Sequence, residues 1–106
     1  MAEIDRAQML KQFLAENPND PFARYGLALE YGRAGQIEDA LGEFSKLLQL
    51  HPGYTAGYQM AAQTLLAAGR AAEARAMLEK GIASATREGN QKALSEMQQM
   101  LAELGP

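Results

Sequence analysis

Residues 18–52 read PNDPFARYGLALEYGRAGQIEDALGEFSKLLQLHP, and turn signals cut this stretch into a helix, a tight connection and a second helix. Asp20 offers a side-chain oxygen to the free amides of a first helical turn, and Pro21 suits the first helical position, where its missing N–H costs nothing. The first helix therefore starts near Pro21 and carries Phe22, Tyr25, Leu27, Ala28, Leu29 and Tyr31 to Arg33-Ala34-Gly35, where glycine supplies a left-handed stop. Ile37, Ala40, Leu41, Phe44, Leu47 and Leu48 then recur at the spacing of an amphipathic helix, which Pro52 ends.

Outward from this stretch the same marks return at one period. Pro18 and Pro52 stand 34 residues apart, as do Gly35 and Gly69, Ala40 and Ala74, Ala28 and Ala62, and Phe44 and Leu78. A second unit comes next, with Tyr58, Ala61, Ala62 and Leu65 before Gly69, then Ala71, Ala74, Met77, Leu78 and Ile82. Helices joined by so few residues lie antiparallel, and each hairpin exposes an apolar flank that only a neighbouring hairpin covers.

Both ends fit as incomplete units. Ile4, Ala7, Leu10, Phe13 and Leu14 make one amphipathic helix over 3–17, matching the second half of a unit and acting as an N-terminal cap. Gly89-Asn90 gives a stop and a fresh N-cap, after which Ala93, Leu94, Met97, Met100, Leu101 and Leu104 form a stripe over 90–104. Strict continuation of the period places the packing slots at Ser95, Glu96 and Gln99, which are polar, so the register slips and this helix is expected to cap the C-terminal end. The expected fold is all-α: a short solenoid of about six antiparallel helices, one domain over 1–106, with full units at 21–54 and 55–88.

Residues 21–54 resemble a tetratricopeptide repeat (TPR), and 55–88 a weaker second one. Leu27, Ala28, Tyr31, Ala40, Phe44 and Pro52 meet the family pattern, while Arg24 stands at the usual first aromatic and Leu47 at a usual alanine. In the second unit Leu65 replaces tyrosine, Gly81 alanine and Thr86 the closing proline. The resemblance implies an adaptor or scaffold role, with a concave wall built from the first helix of each unit. Carried over position by position, that wall comprises Phe22, Tyr25, Gly26, Leu29, Gly32 and Arg33, then Ala56, Gln59, Met60, Gln63, Leu66 and Ala67. The candidate partner-binding residues are Phe22, Tyr25, Leu29, Arg33, Gln59, Met60 and Gln63: apolar anchors, two amides that hydrogen-bond an extended backbone, and one guanidinium. The lysines and asparagines with which some family members clamp a chaperone's C-terminal carboxylate are replaced here by Tyr25, Leu29 and Met60. An alternative arrangement has the terminal helix folding over the wall and burying Tyr25, Leu29 and Met60 against Leu94 or Met97.

Other chemistry finds little footing. The chain of 106 residues has no cysteine, one histidine and a net charge of -3, so thiolate, zinc-knuckle and iron–sulfur chemistry are excluded. Bases are scattered singly from Arg6 to Lys92, which disfavours a nucleic-acid partner. His51 precedes Pro52 at a helix end, where the helix dipole favours a cap over a catalytic base, and Glu38-Asp39 complement the dipole of a first turn. The glycines contain no phosphate-cradling spacing. No stretch reaches the ~18 uninterrupted apolar residues of a membrane span, and the acidic N-terminus makes the cytoplasm the expected compartment. A non-enzymatic protein without cofactor is expected, binding another protein. Its rival is a self-associating homodimer that uses the apolar wall or the flank formed by Ile4, Leu10 and Phe13.

Overall fold

The computed structural model describes residues 5–106. Six helices succeed one another: α1 (Arg6–Glu16), α2 (Pro21–Arg33), α3 (Ile37–Leu50), α4 (Thr55–Ala67), α5 (Ala71–Glu88) and α6 (Gln91–Leu104). Each packs against the next, and α4 also touches α2 and α6. The first helices of successive units thus stand side by side along a body of 50 × 28 × 20 Å. Ile4, expected in the first helix, lies outside the described residues.

Local chemistry sets the ends of these helices. Asp20 accepts a hydrogen bond from the Ala23 amide at 2.8 Å, and Asp5 and Asn90 cap α1 and α6 in the same manner at 3.1 Å. Gly35 and Gly69 adopt φ of 77° and 74°, a region that costs a residue with a Cβ. Just past them the Gln36 amide donates to the Tyr31 carbonyl and the Arg70 amide to the Leu65 carbonyl, both at 2.9 Å, closing two matching Schellman turns.

The core is three linked clusters, and small residues lie at their centres. Leu14, Ala23 and Leu27 join α1 to α2. Ala28, Ala40, Phe44, Leu47 and Ala61 join α2, α3 and α4. Ala62, Leu78, Ala85 and Met97 join α4, α5 and α6. Alanines 28, 40, 62 and 74 are fully buried, which is the condition for helix axes to approach closely.

Departures from the family pattern have physical reasons. Arg24, at the aromatic slot, donates to Glu43 on α3 at 2.6 Å and to the Pro18 carbonyl at 2.8 Å, so an inter-helix ion pair does the work of a ring. At Gly81 an added Cβ would lie 2.8 Å from the Tyr58 Cβ and 2.5 Å from the Met97 sulfur, space that alanine lacks. Because Thr86 stands where proline closes a unit, α5 continues to Glu88 and is four residues longer than α3. That extra turn is held by polar groups: the buried Thr55 donates to the Glu88 carboxylate at 2.6 Å and shares a 2.8 Å hydrogen bond with the buried Ser84.

Lengthening α5 shifts the register of the last helix. Pro21, Thr55 and Gln91 open α2, α4 and α6, so the first interval is 34 residues and the second 36. Ser95, Glu96 and Gln99 are accordingly exposed, and Met97 is the fully buried residue of α6. The helix lies against α4 and α5 and does not reach α2; Tyr25, Leu29 and Met60 pack on the Phe44 cluster, so the covering of the wall by Leu94 or Met97 does not occur. His51 is the C-cap of α3, its amide donating to the Leu47 carbonyl at 2.8 Å, and its Nε2 also donates at 2.8 Å to the Asn19 carbonyl in the loop before α2.

Urea unfolding tests this packing at the glycines and at the ion pair. Gly81→Ala should destabilise by up to about 2 kcal/mol, overpacking of roughly 1–3 kcal/mol outweighing about 1 kcal/mol of helix propensity. Gly42→Ala, whose Cβ meets nothing within 4 Å, should instead stabilise by up to about 1 kcal/mol. Arg24→Ala should cost about 2–4 kcal/mol in the same assay, since Glu43 loses its partner in a partly buried site, and Arg24→Ala with Glu43→Ala should cost less than Arg24→Ala alone.

Candidate functional site

The wall implied by the repeat is built where α2 and α4 run side by side. Helical spacing brings Leu29, Gly32 and Arg33 of α2 to one lip and Met60, Gln63 and Ala67 of α4 to the other, with Ile37 of α3 at one end. The hollow between them measures about 320 Å³. Its floor is apolar, since Leu29 and Met60 rest on the Phe44 cluster while keeping part of their surface free. Gln63 is exposed at the rim, and the mostly exposed Arg33 guanidinium is balanced by Glu30 at 3.2 Å.

Four of the seven candidate residues, Leu29, Arg33, Met60 and Gln63, thus line one groove. The other three lie outside it. Tyr25 is half-buried, its ring 6.4 Å from that of Phe44 in an edge-on contact and 5.4 Å from that of Tyr54. Burial pushes its phenol above the ordinary tyrosine value, so it is a neutral packing group at physiological pH. Gln59 donates to the Glu96 carboxylate on α6 at 3.1 Å and ties neighbouring first helices together. Phe22, at the head of α2, is 77% exposed and lines no part of the groove.

A larger hollow of about 530 Å³ lies between α3 and α5, and sequence reasoning missed it. Leu41, Leu48 and Met77 give it an apolar surface, with Tyr58, Ala61 and Leu65 of α4 beneath. Arg70 spans one end, bonding Glu38 of α3 at 2.5 Å and Glu73 of α5 at 2.8 Å. These hydrogen bonds hold the Arg70 pKa above, and the Glu73 pKa below, the ordinary values. The available signal was the half-buried pair Leu41 and Leu48, two turns apart on α3 and off the stripe that meets α2. Among the described residues, no three His, Asp or Glu side chains gather as a metal site, and no helix is long and apolar enough to cross a membrane.

Comparison with known proteins accords with this geometry. Family models described as tetratricopeptide repeat match residues 33–104 and 2–59. A TPR repeat-containing protein of Pseudomonas aeruginosa is 33% identical over 95 residues, covering 90% of each chain. The solution structure of a tetratricopeptide repeat domain protein from Salinibacter ruber superposes with a TM-score of 0.78 at 33% identity, covering 83% of this chain and 89% of that one. The TPR2B domain of yeast Sti1, solved as a complex with pHsp70, superposes with a TM-score of 0.85 at 15% identity, covering 92% of this chain and 78% of that one. With its repeat period, its paired helices and these matches in agreement, the chain belongs to the tetratricopeptide repeat family.

Proposed function

We propose that this protein is a non-catalytic, cytoplasmic adaptor that binds a short segment of another protein in the groove between α2 and α4. The observation that carries the reading is the combination in one hollow of an apolar floor, Leu29 and Met60, with an amide and a guanidinium at its edge, Gln63 and Arg33. Apolar pockets with a few polar groups fix both the depth and the direction of a bound chain. Met60 adapts to the shape of an aliphatic or aromatic anchor. Gln63 hydrogen-bonds an extended backbone, and Arg33 receives an acidic side chain in exchange for part of its pairing with Glu30.

The yeast Sti1 domain supports use of this fold for protein partners, but its pHsp70 partner is not carried over. Recognition in this chain rests on apolar anchors. Tyr25 and Gln59 lie outside the groove, where Tyr25 packs on the Tyr54 ring and Gln59 holds Glu96 of α6.

A displayed peptide library selected on the protein tests this. The selected peptides should share one or two apolar anchors near an acidic residue, and Met60→Ala with Gln63→Ala should weaken their binding by about tenfold or more, the cost of losing an interface anchor. Lys80→Glu, on the α3–α5 hollow, should leave binding unchanged. Loss of binding in Lys80→Glu with retention in the groove variant would move the site to the other hollow.

A further inference from the structure

The outer face of α1 has a pattern that neither the hairpin packing nor the groove uses. Ala7, Leu10 and Leu14 turn toward α2, and Leu10 lies against Gly26. Leu10 is therefore not part of an open flank, contrary to the sequence expectation, and Met9 takes that place. Met9 is 51% exposed and Phe13 46% exposed, four residues apart, with the exposed Arg6 before them and Glu16 after them. Positions 6, 9, 13 and 16 fall on one side of a helix at the spacing of a coiled-coil seam.

That seam is complementary to itself when reversed. If two such helices run antiparallel with Met9 opposite Phe13, the same register sets Arg6 opposite Glu16, and both pairings occur twice. Lys11 is level with the two-fold axis along the helix, but its ammonium lies over the Tyr31 ring at 5.4 Å, on the side of α1 away from the seam. Like charges therefore do not meet at the axis. Arg6 also contacts Glu30 at 3.3 Å, but its side chain is three-quarters exposed and free to accept a second carboxylate.

The opposite end of the solenoid is built differently. Gln91, Ser95, Gln98 and Ala102, which share the outward side of α6, are all exposed. A head-to-tail stack would bring this polar surface against Met9 and Phe13, and its heterologous contacts would not close. The isologous contact buries apolar against apolar and closes.

We propose that the protein forms a two-fold dimer in which α1 pairs antiparallel with α1 of a second copy, Met9 packing on Phe13 and Arg6 pairing with Glu16 across the axis. The second α1 then occupies the side of α1 that no helix of the described residues covers. An 11-residue helix spans about 16 Å, so the interface is small and the association weak, in the micromolar range or above.

Sedimentation across concentrations from low micromolar to near millimolar should show the mass rising toward twice that of one chain. Met9→Glu with Phe13→Glu should raise the dissociation constant at least about tenfold, with helical circular dichroism unchanged because both residues are exposed. Arg6→Glu and Glu16→Arg should each weaken the dimer, and the two together should restore it. The chain has no cysteine, so a copy carrying Met9→Cys mixed with one carrying Phe13→Cys should form the mixed disulfide in preference to either like pair. A chain that is monomeric at the highest concentration, a dimer that survives the two glutamates, or like-with-like disulfides would overturn the proposal. The α1 variants leave Leu29, Met60 and Gln63 untouched, so this outcome and that of the groove experiment are separate.

Discussion

Everything in this molecule depends on helices approaching one another at small residues. Ala28 and Ala40 share one buried cluster at the first hairpin, Ala62 and Ala74 are fully buried on the two helices of the second, Gly57 lies against Leu47 and Leu48 of the preceding unit, and Gly81 lies against Tyr58 and Met97. At Gly57 an added Cβ would lie 3.0 Å from the Leu47 side chain. Small residues alone would leave voids, so Phe44, Leu47, Leu78 and Met97 fill the space around them and are themselves fully buried. Close packing of this kind aligns α2, α4 and α6 beside one another, and the groove is a consequence of that alignment.

Much of this was legible because it is written locally. Asp20-Pro21 and the positive-φ turns at Gly35 and Gly69 are each decided by the chemistry of one or two residues, and a fixed period then orders the helices. Leu29, Arg33, Met60 and Gln63 could be assigned to one surface because the resemblance to the repeat family carries its wall positions over to them, and they do line one groove. Tyr25 and Gln59 could not be separated from them, since their partners, Tyr54 and Glu96, lie in other parts of the chain. The α3–α5 hollow was hidden for a related reason: it is a gap between the second helices of two different units.

The second unit shows how far a substitution reaches. Thr86 in place of proline removes a stop, α5 gains a turn, and Thr55 and Ser84 become a buried polar pair that the Glu88 carboxylate closes from outside. Both hydroxyls are partnered, so their burial leaves no hydrogen bond unmade. Glycine at position 81 then admits the Met97 sulfur, and α6 settles two residues out of the strict period. One change at a helix end thus sets the register of the last helix and, through Glu96, the environment of Gln59.

A stack held together by nearest neighbours should be most stable in its middle, where a helix is covered on both flanks, and least stable at its ends. Amide hydrogen exchange resolved by residue tests this directly. The slowest exchange is expected at Phe44 and Leu47 of α3 and at Ala61 and Ala62 of α4, with faster exchange through α1 and through α6 beyond Met97. Exchange in α1 as slow as in α4, measured at a concentration where the protein is monomeric, would contradict it.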